Sequence, residues 1–186
     1  MLRIMMIVSF SIISTFLQSA EVAGVRLEAA AKVGEHTVTL RGADLLRWKW
    51  IVKIYVAALY VPANTKTTEI LGEIPRRIEF HYRRGFTAEQ LVEATNGTIN
   101  RGRDDKAIAA IAAEVTAFNA LYPAVVEGDV MAIEYVPGVG TTMRINNVAR
   151  GTAVVGAEFS KALFAIWVGD NAVDDDLKAA LLGKEP

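Results

Sequence analysis

Hydrophobic and polar residues alternate with a period of two through much of the first half of the chain. Between residues 45 and 61, Leu46, Trp48, Trp50, Val52 and Ile54 alternate with Arg47, Lys49, Ile51, Lys53 and Tyr55. That period predicts one long strand with an apolar face and a mixed face. From Val56 to Val61 both faces are apolar, so the strand passes into the interior, and Pro62 and Asn64 end it. Upstream, residues 25–28 and 37–40 are short and β-rich, and the Gly34-Glu35 pair between them reads as the turn of a hairpin. Residues 77–83 form another strand, with Ile78, Phe80 and Tyr82 on one face and Arg77, Glu79, His81 and Arg83 on the other. Arg76, Arg77, Arg83 and Arg84 bracket this strand and read as its solvated ends.

The period then changes. After one or two helical turns at 67–71, Thr87 and Gln90 stand at the spacing of a capping box, with Phe86 and Leu91 placed for a hydrophobic staple. The helix they open runs to about Ile99 and breaks near Gly102. A second helix starts at Asp104 or Asp105, carries Ile108, Ile111, Val115 and Phe118 as one apolar stripe, and stops at Pro123. Residues 129–136 and 141–145 are strands around the hairpin signal Pro137-Gly138-Val139-Gly140, and a short third strand follows at 149–152. Residues 159–168 form a helix stopped by Gly169. A last helix spans 174–182; Asp174, Asp175 and Asp176 suit the positive end of its dipole, which explains them better than a metal site. Strands, helices, strands and helices in that order predict an α+β domain, an antiparallel sheet with helices on one face.

Composition narrows the chemistry. The chain of 186 residues has no cysteine, which excludes disulfides, thiolate metal sites and a cysteine nucleophile. Its two histidines leave little for a histidine-rich metal centre, and a formal net charge of -1 gives no basic excess for nucleic acid. No cofactor is implied. Residues 1–20 have a short positive start, an apolar stretch over 4–16 and Ser19-Ala20 at the end, the pattern of a secretory signal. The apolar run is short for a membrane span. The expectation is a mature domain over 21–186, exported to a bacterial periplasm, with no membrane span after cleavage.

The ordered set of motifs resembles the bacterial, exported branch of the chalcone isomerase-like family. The carrying residues are Leu40-Arg41-Gly42-Ala43-Asp44-Leu45-Leu46-Arg47, Lys53-Ile54-Tyr55-Val56-Ala57-Ala58-Leu59-Tyr60-Val61, Phe118-Asn119-Ala120-Leu121-Tyr122-Pro123, Tyr135-Val136-Pro137-Gly138-Val139-Gly140-Thr141 and the run from Phe159 to Gly169. The resemblance implies the chalcone isomerase fold: a long curved antiparallel sheet covered by a layer of helices, with a ligand cleft between them. It implies two kinds of activity, cyclisation of a chalcone, or binding of a fatty acid whose carboxylate is clamped by an arginine and a tyrosine.

Carried onto this sequence, the resemblance points to Arg47 as the arginine, Tyr55 as the strand hydroxyl and Asn96 as the helix asparagine. The enzymes' helix tyrosine falls around Glu89 or Gln90, where none is present, and their late-helix hydroxyl falls near Ile166. These departures favour binding over stereospecific cyclisation. The expected ligand-binding residues are therefore Arg47, Tyr55 and Asn96, the ligand a fatty acid or another amphiphilic carboxylate. On a single extended strand Arg47 and Tyr55 share a face but stand about 26 Å apart, so a joint clamp requires a bend or bulge. Two other readings stand beside this one: an isomerase (intramolecular lyase) acting through the same three residues, and a periplasmic interaction module that offers Trp48 and Trp50 to a protein partner.

Overall fold

The structure is a computed structural model and describes residues 19–183. The export segment expected over residues 1–20 falls almost wholly outside them. Seven strands form the main sheet: β3 (Ala30–Val33), β4 (His36–Trp48), β5 (Val52–Val61), β6 (Arg76–Tyr82), β7 (Val130–Val136), β8 (Gly140–Ile145) and β9 (Val148–Val154). They lie side by side in chain order, every pair antiparallel. A separate hairpin, β1 (Ala20–Val22) and β2 (Val25–Leu27), packs beside them. The helices α1 (Ala88–Ile99), α2 (Asp105–Ala109) and α3 (Ala112–Asn119) fill the connection from β6 to β7, and α4 (Ala157–Val168) and α5 (Asp175–Leu181) follow β9. The sheet curls into a half-barrel: a Cβ added to Gly34, in the β3–β4 turn, would meet the Val136 side chain at 3.4 Å.

The curl gives the sheet two different faces. The stretch 56–61 alternates between them while staying buried throughout, as its two-sided apolar pattern requires. Ala57, Leu59 and Val61 join the large core under the helices, and Val56, Ala58 and Tyr60 join a smaller core covered by the β1–β2 hairpin. Helix α4 inserts Phe159, Leu163, Ile166 and Trp167 into the large core. Helix α5 lies so close on β4 that a Cβ on Gly42 would stand 2.0 Å from the Ala180 carbonyl oxygen, so no larger residue fits there.

The capping box of α1 forms as expected: Thr87 Oγ1 accepts from the Gln90 N–H at 3.3 Å, and Gln90 Oε1 accepts from the Thr87 N–H at 3.0 Å. Asp174 likewise caps α5, accepting from the Leu177 N–H at 2.8 Å. Three expectations need correction. Residues 45–61 are not one strand. Lys49 and Trp50 take positive φ (49° and 66°), the Ile51 N–H bonds back to the Trp48 carbonyl at 3.3 Å, and the chain reverses into β5. The Gly34-Glu35 turn is present, but it joins β4 to 30–33; residues 25–27 pair instead with 20–22. The second helix breaks in two at Ile111, which leaves the helical region at φ -119°, ψ 7° while its side chain stays buried.

Candidate functional site

The cleft lies between the sheet and the helices. Strand β5 supplies Tyr55, β6 supplies Phe80 and Tyr82, and β7 supplies Met131 and Ile133. From the helical side come Leu91, Thr95 and Thr98 of α1, Ile166 and Trp167 of α4, and the flanking Tyr122 and Val173. The space open to the centre of a water-sized sphere is about 90 Å³, and the whole non-atom space is about 490 Å³. The aromatic rings set the wall. Tyr55 meets Phe80 edge to face at 5.0 Å and Tyr82 at 6.0 Å, and Phe80 leans on Trp167 at 4.8 Å.

Polar chemistry here consists of hydroxyls. Tyr55 Oη accepts from Trp167 Nε1 at 3.0 Å, which leaves the tyrosine's own proton free to be donated. Tyr122 Oη and Thr95 Oγ1 bond to each other at 2.9 Å. Tyr82 Oη has the Met131 sulfur at 3.8 Å, a weak acceptor. Burial pushes all three phenols up, Tyr122 to about 12, so all are neutral donors at physiological pH. No residue lining the cleft is ionised at neutral pH.

Of the three residues expected at the site, Tyr55 alone lines this cleft. The β4–β5 reversal removes the 26 Å separation: Leu46 pairs with Tyr55 and Arg47 pairs with Lys53, across a register shift. The Arg47 side chain nevertheless remains exposed, in a neighbouring groove with Asp44, Asp174 and Asp176. Asn96 lies on the exposed side of α1, where its Oδ1 accepts from Asn119 Nδ2 at 2.8 Å. Tyr82, Thr95, Tyr122 and Trp167 were not among the expected site residues. Their signal in the sequence is slight: a tyrosine on the apolar face of a strand, and a tyrosine directly before a helix-stopping proline.

The start of β6 also departs from expectation, since Arg76 and Arg77 are buried rather than solvated ends. Arg77 bonds to Glu134 and, from Nε, to Glu79 at 3.0 Å. Glu79 also accepts from His81 Nε2 at 2.7 Å. Burial alone would raise the Glu79 carboxyl, but the His81 hydrogen bond and the Arg77 charge outweigh it and hold the carboxyl below its ordinary value. Arg76 is fully buried on the helix side between the Tyr135 and Phe164 rings, 4.5 and 4.7 Å from their centroids. It donates to the Ile70 carbonyl at 3.0 Å and to Ser160 Oγ at 2.8 Å, and desolvation pulls it down to about 10. It is still charged at neutral pH, and it ties the 67–72 turn and α4 to the sheet.

Comparison with known proteins places this architecture. The sequence matches the chalcone isomerase-like family over residues 19–183, and the chain belongs to that family. A crystal structure of an Arabidopsis thaliana fatty-acid binding protein is similar, with a TM-score of 0.66 at 14% identity, covering 89% of this chain and 96% of that one. At that identity the likeness establishes the fold. No curated protein matches the sequence.

Proposed function

We propose that this chalcone isomerase-like protein is a non-catalytic binder of a fatty acid or a similar amphiphilic carboxylate, held in the cleft between sheet and helices. The observation that carries the reading is the character of that cleft: apolar and aromatic walls with a few convergent hydroxyls, as small-molecule sites have. The similarity in fold to a plant fatty-acid binding protein supports it. The absence of ionised groups from the lining weighs against the isomerase reading. A phenolate substrate needs a cation there, and the raised tyrosines supply no base at neutral pH. The apolar chain lies against Phe80, Ile133 and Ile166, and the head group accepts a hydrogen bond from the free Tyr55 O–H.

The free space of about 90 Å³ is below the ~150 Å³ of an engineered cavity that holds benzene. A long chain therefore enters by displacing the half-buried Leu91 and Val173. The secretory pattern of residues 1–20 supports a periplasmic setting for this binding.

The test is native mass spectrometry and calorimetry with a series of saturated fatty acids and oleate. One acid binds per protein, and Tyr55→Phe weakens it about tenfold, the value of one hydrogen bond to a charged group. A protein that stays ligand-free at every chain length overturns the proposal.

A further inference from the structure

We propose that the tip of the β4–β5 hairpin docks this protein on an anionic lipid surface. Folding removes large apolar side chains from water wherever it can. Here three of them are left outside within four residues: Trp48 is 57% exposed, and Trp50 and Ile51 are each 84% exposed. The other large exposed hydrophobics among the described residues are valines at separate positions. Fold requirements do not explain the choice either. Lys49 and Trp50 occupy positive φ (49° and 66°), where glycine or asparagine sits with less strain. A tryptophan at that position adds strain and exposure together, and a local rule broken in this way marks function.

Charge identifies the partner. Arg47, Lys49 and Lys53 surround the tryptophans, and no acidic residue occurs from 45 to 61. Lys49 Nζ stands 4.4 Å over the Trp48 ring, so cation and aromatic point out together. Asp44, Asp174 and Asp176 line the groove beside Arg47, where Asp44 accepts from the Leu45 N–H and Asp174 is engaged in capping α5. Tryptophans seek the headgroup level of a bilayer, and lysine and arginine are drawn to anionic headgroups. A protein partner fits less well, since a stable interface needs about 800 Å² from each side and a single projecting turn offers three apolar side chains. Docking stands on these observations alone. Its use, exchange of an amphiphile between bilayer and cleft, rests on the proposed binding function: Tyr55 pairs with Leu46, the third pair in from the turn of the same hairpin.

The experiment is co-sedimentation of the mature protein with vesicles, either an equal mixture of phosphatidylglycerol and phosphatidylcholine or phosphatidylcholine alone, followed also by tryptophan fluorescence. Trp167 is buried, so a blue shift and quenching by brominated lipid report Trp48 and Trp50. The expected result is binding to the anionic vesicles that weakens with salt. The triple variant Trp48→Ser/Trp50→Ser/Ile51→Ser loses it, and Lys49→Glu and Lys53→Glu each lose about fivefold or more. These positions are exposed, and unchanged circular dichroism verifies the fold of each variant. Absence of wild-type binding at low salt, or equal binding by the triple variant, overturns the proposal; so does a defined protein that binds this tip while vesicles do not. Oleate titration of the same samples separates the two proposals, because a protein that binds oleate but no vesicles sinks docking and leaves the cleft standing.

Discussion

Strand β6 carries two sites of opposite character on alternate residues. Toward the helices, Phe80 and Tyr82 wall a narrow apolar cleft; toward the other face, Arg77, Glu79 and His81 line a groove with about 810 Å³ open to a water-sized sphere. The larger space is the worse candidate for a ligand. Its buried charges already answer one another, Arg77 between two carboxylates and Glu79 between arginine and histidine. A ligand there would have to break bonds that the fold has made. In the cleft, Tyr55 keeps a donor and Tyr82 has a poor acceptor, so hydrogen-bonding capacity is left over. Unused capacity beside apolar surface, rather than volume or charge, distinguishes the proposed binding face from the structural one.

The sharpest way to break this contrast is to remove the centre of the charged network. Glu79→Ala takes the carboxylate away from His81 and leaves Arg77 with Glu134 alone, a loss of hydrogen bonds to a charged group that costs about 1.5–3 kcal/mol. Urea unfolding followed by circular dichroism measures it. Fatty-acid affinity of the folded fraction stays within about twofold, because sites with no shared partners act additively. A large loss of affinity would show that the two faces are coupled and sink the division of labour. The same network predicts a pH dependence. The Glu79 carboxyl is lowered from its ordinary 4.5 in the fold, so its contribution is complete above that value and is lost as pH falls below it through the folded value. Glu79→Gln removes this component, seen as a flatter urea midpoint against pH on the acid side.

A smaller effect is expected inside the cleft. Thr95→Val removes the partner of the Tyr122 hydroxyl, which is buried, and leaves one unsatisfied donor at a cost of about 1–2 kcal/mol. Here stability and ligand affinity move together, because Thr95 and Tyr122 both line the space. If thermal unfolding shifts while fatty-acid binding does not, the ligand lies elsewhere.

The sequence made most of the fold legible where local chemistry and periodicity agree. Thr87 and Gln90 announced α1, Pro137 to Gly140 announced the β7–β8 hairpin, and the apolar run of 159–168 before Gly169 announced α4. The 45–61 stretch misleads for a physical reason. Alternation continues on both sides of the turn, and the turn itself uses Lys49 and Trp50 in place of the glycine or asparagine that marks a reversal. The cleft was legible only at Tyr55. Its other members come from four further elements and two loops spread from Phe80 to Val173, and no spacing along the chain brings them together. Arg77 looked like a strand end because its partner Glu134 lies opposite it on β7, in a pairing that only the register reveals.

The smallest expected effect discriminates most finely between a cation and a hydroxyl as the head-group contact. Arg47→Ala removes an exposed side chain that does not line the cleft, so its influence on a bound carboxylate passes through water and is screened by salt. Fatty-acid affinity should fall less than about threefold at physiological ionic strength, within the ~1 kcal/mol of an exposed charge pair. Asn96→Ala, on the outside of α1, should change it less still. Vesicle docking, by contrast, should weaken in Arg47→Ala, because there the same charge faces the headgroups directly. An Arg47→Ala protein that loses fatty acid as completely as Tyr55→Phe would mean that the arginine swings into the cleft when ligand arrives. The hydroxyls would then be the lesser half of the site.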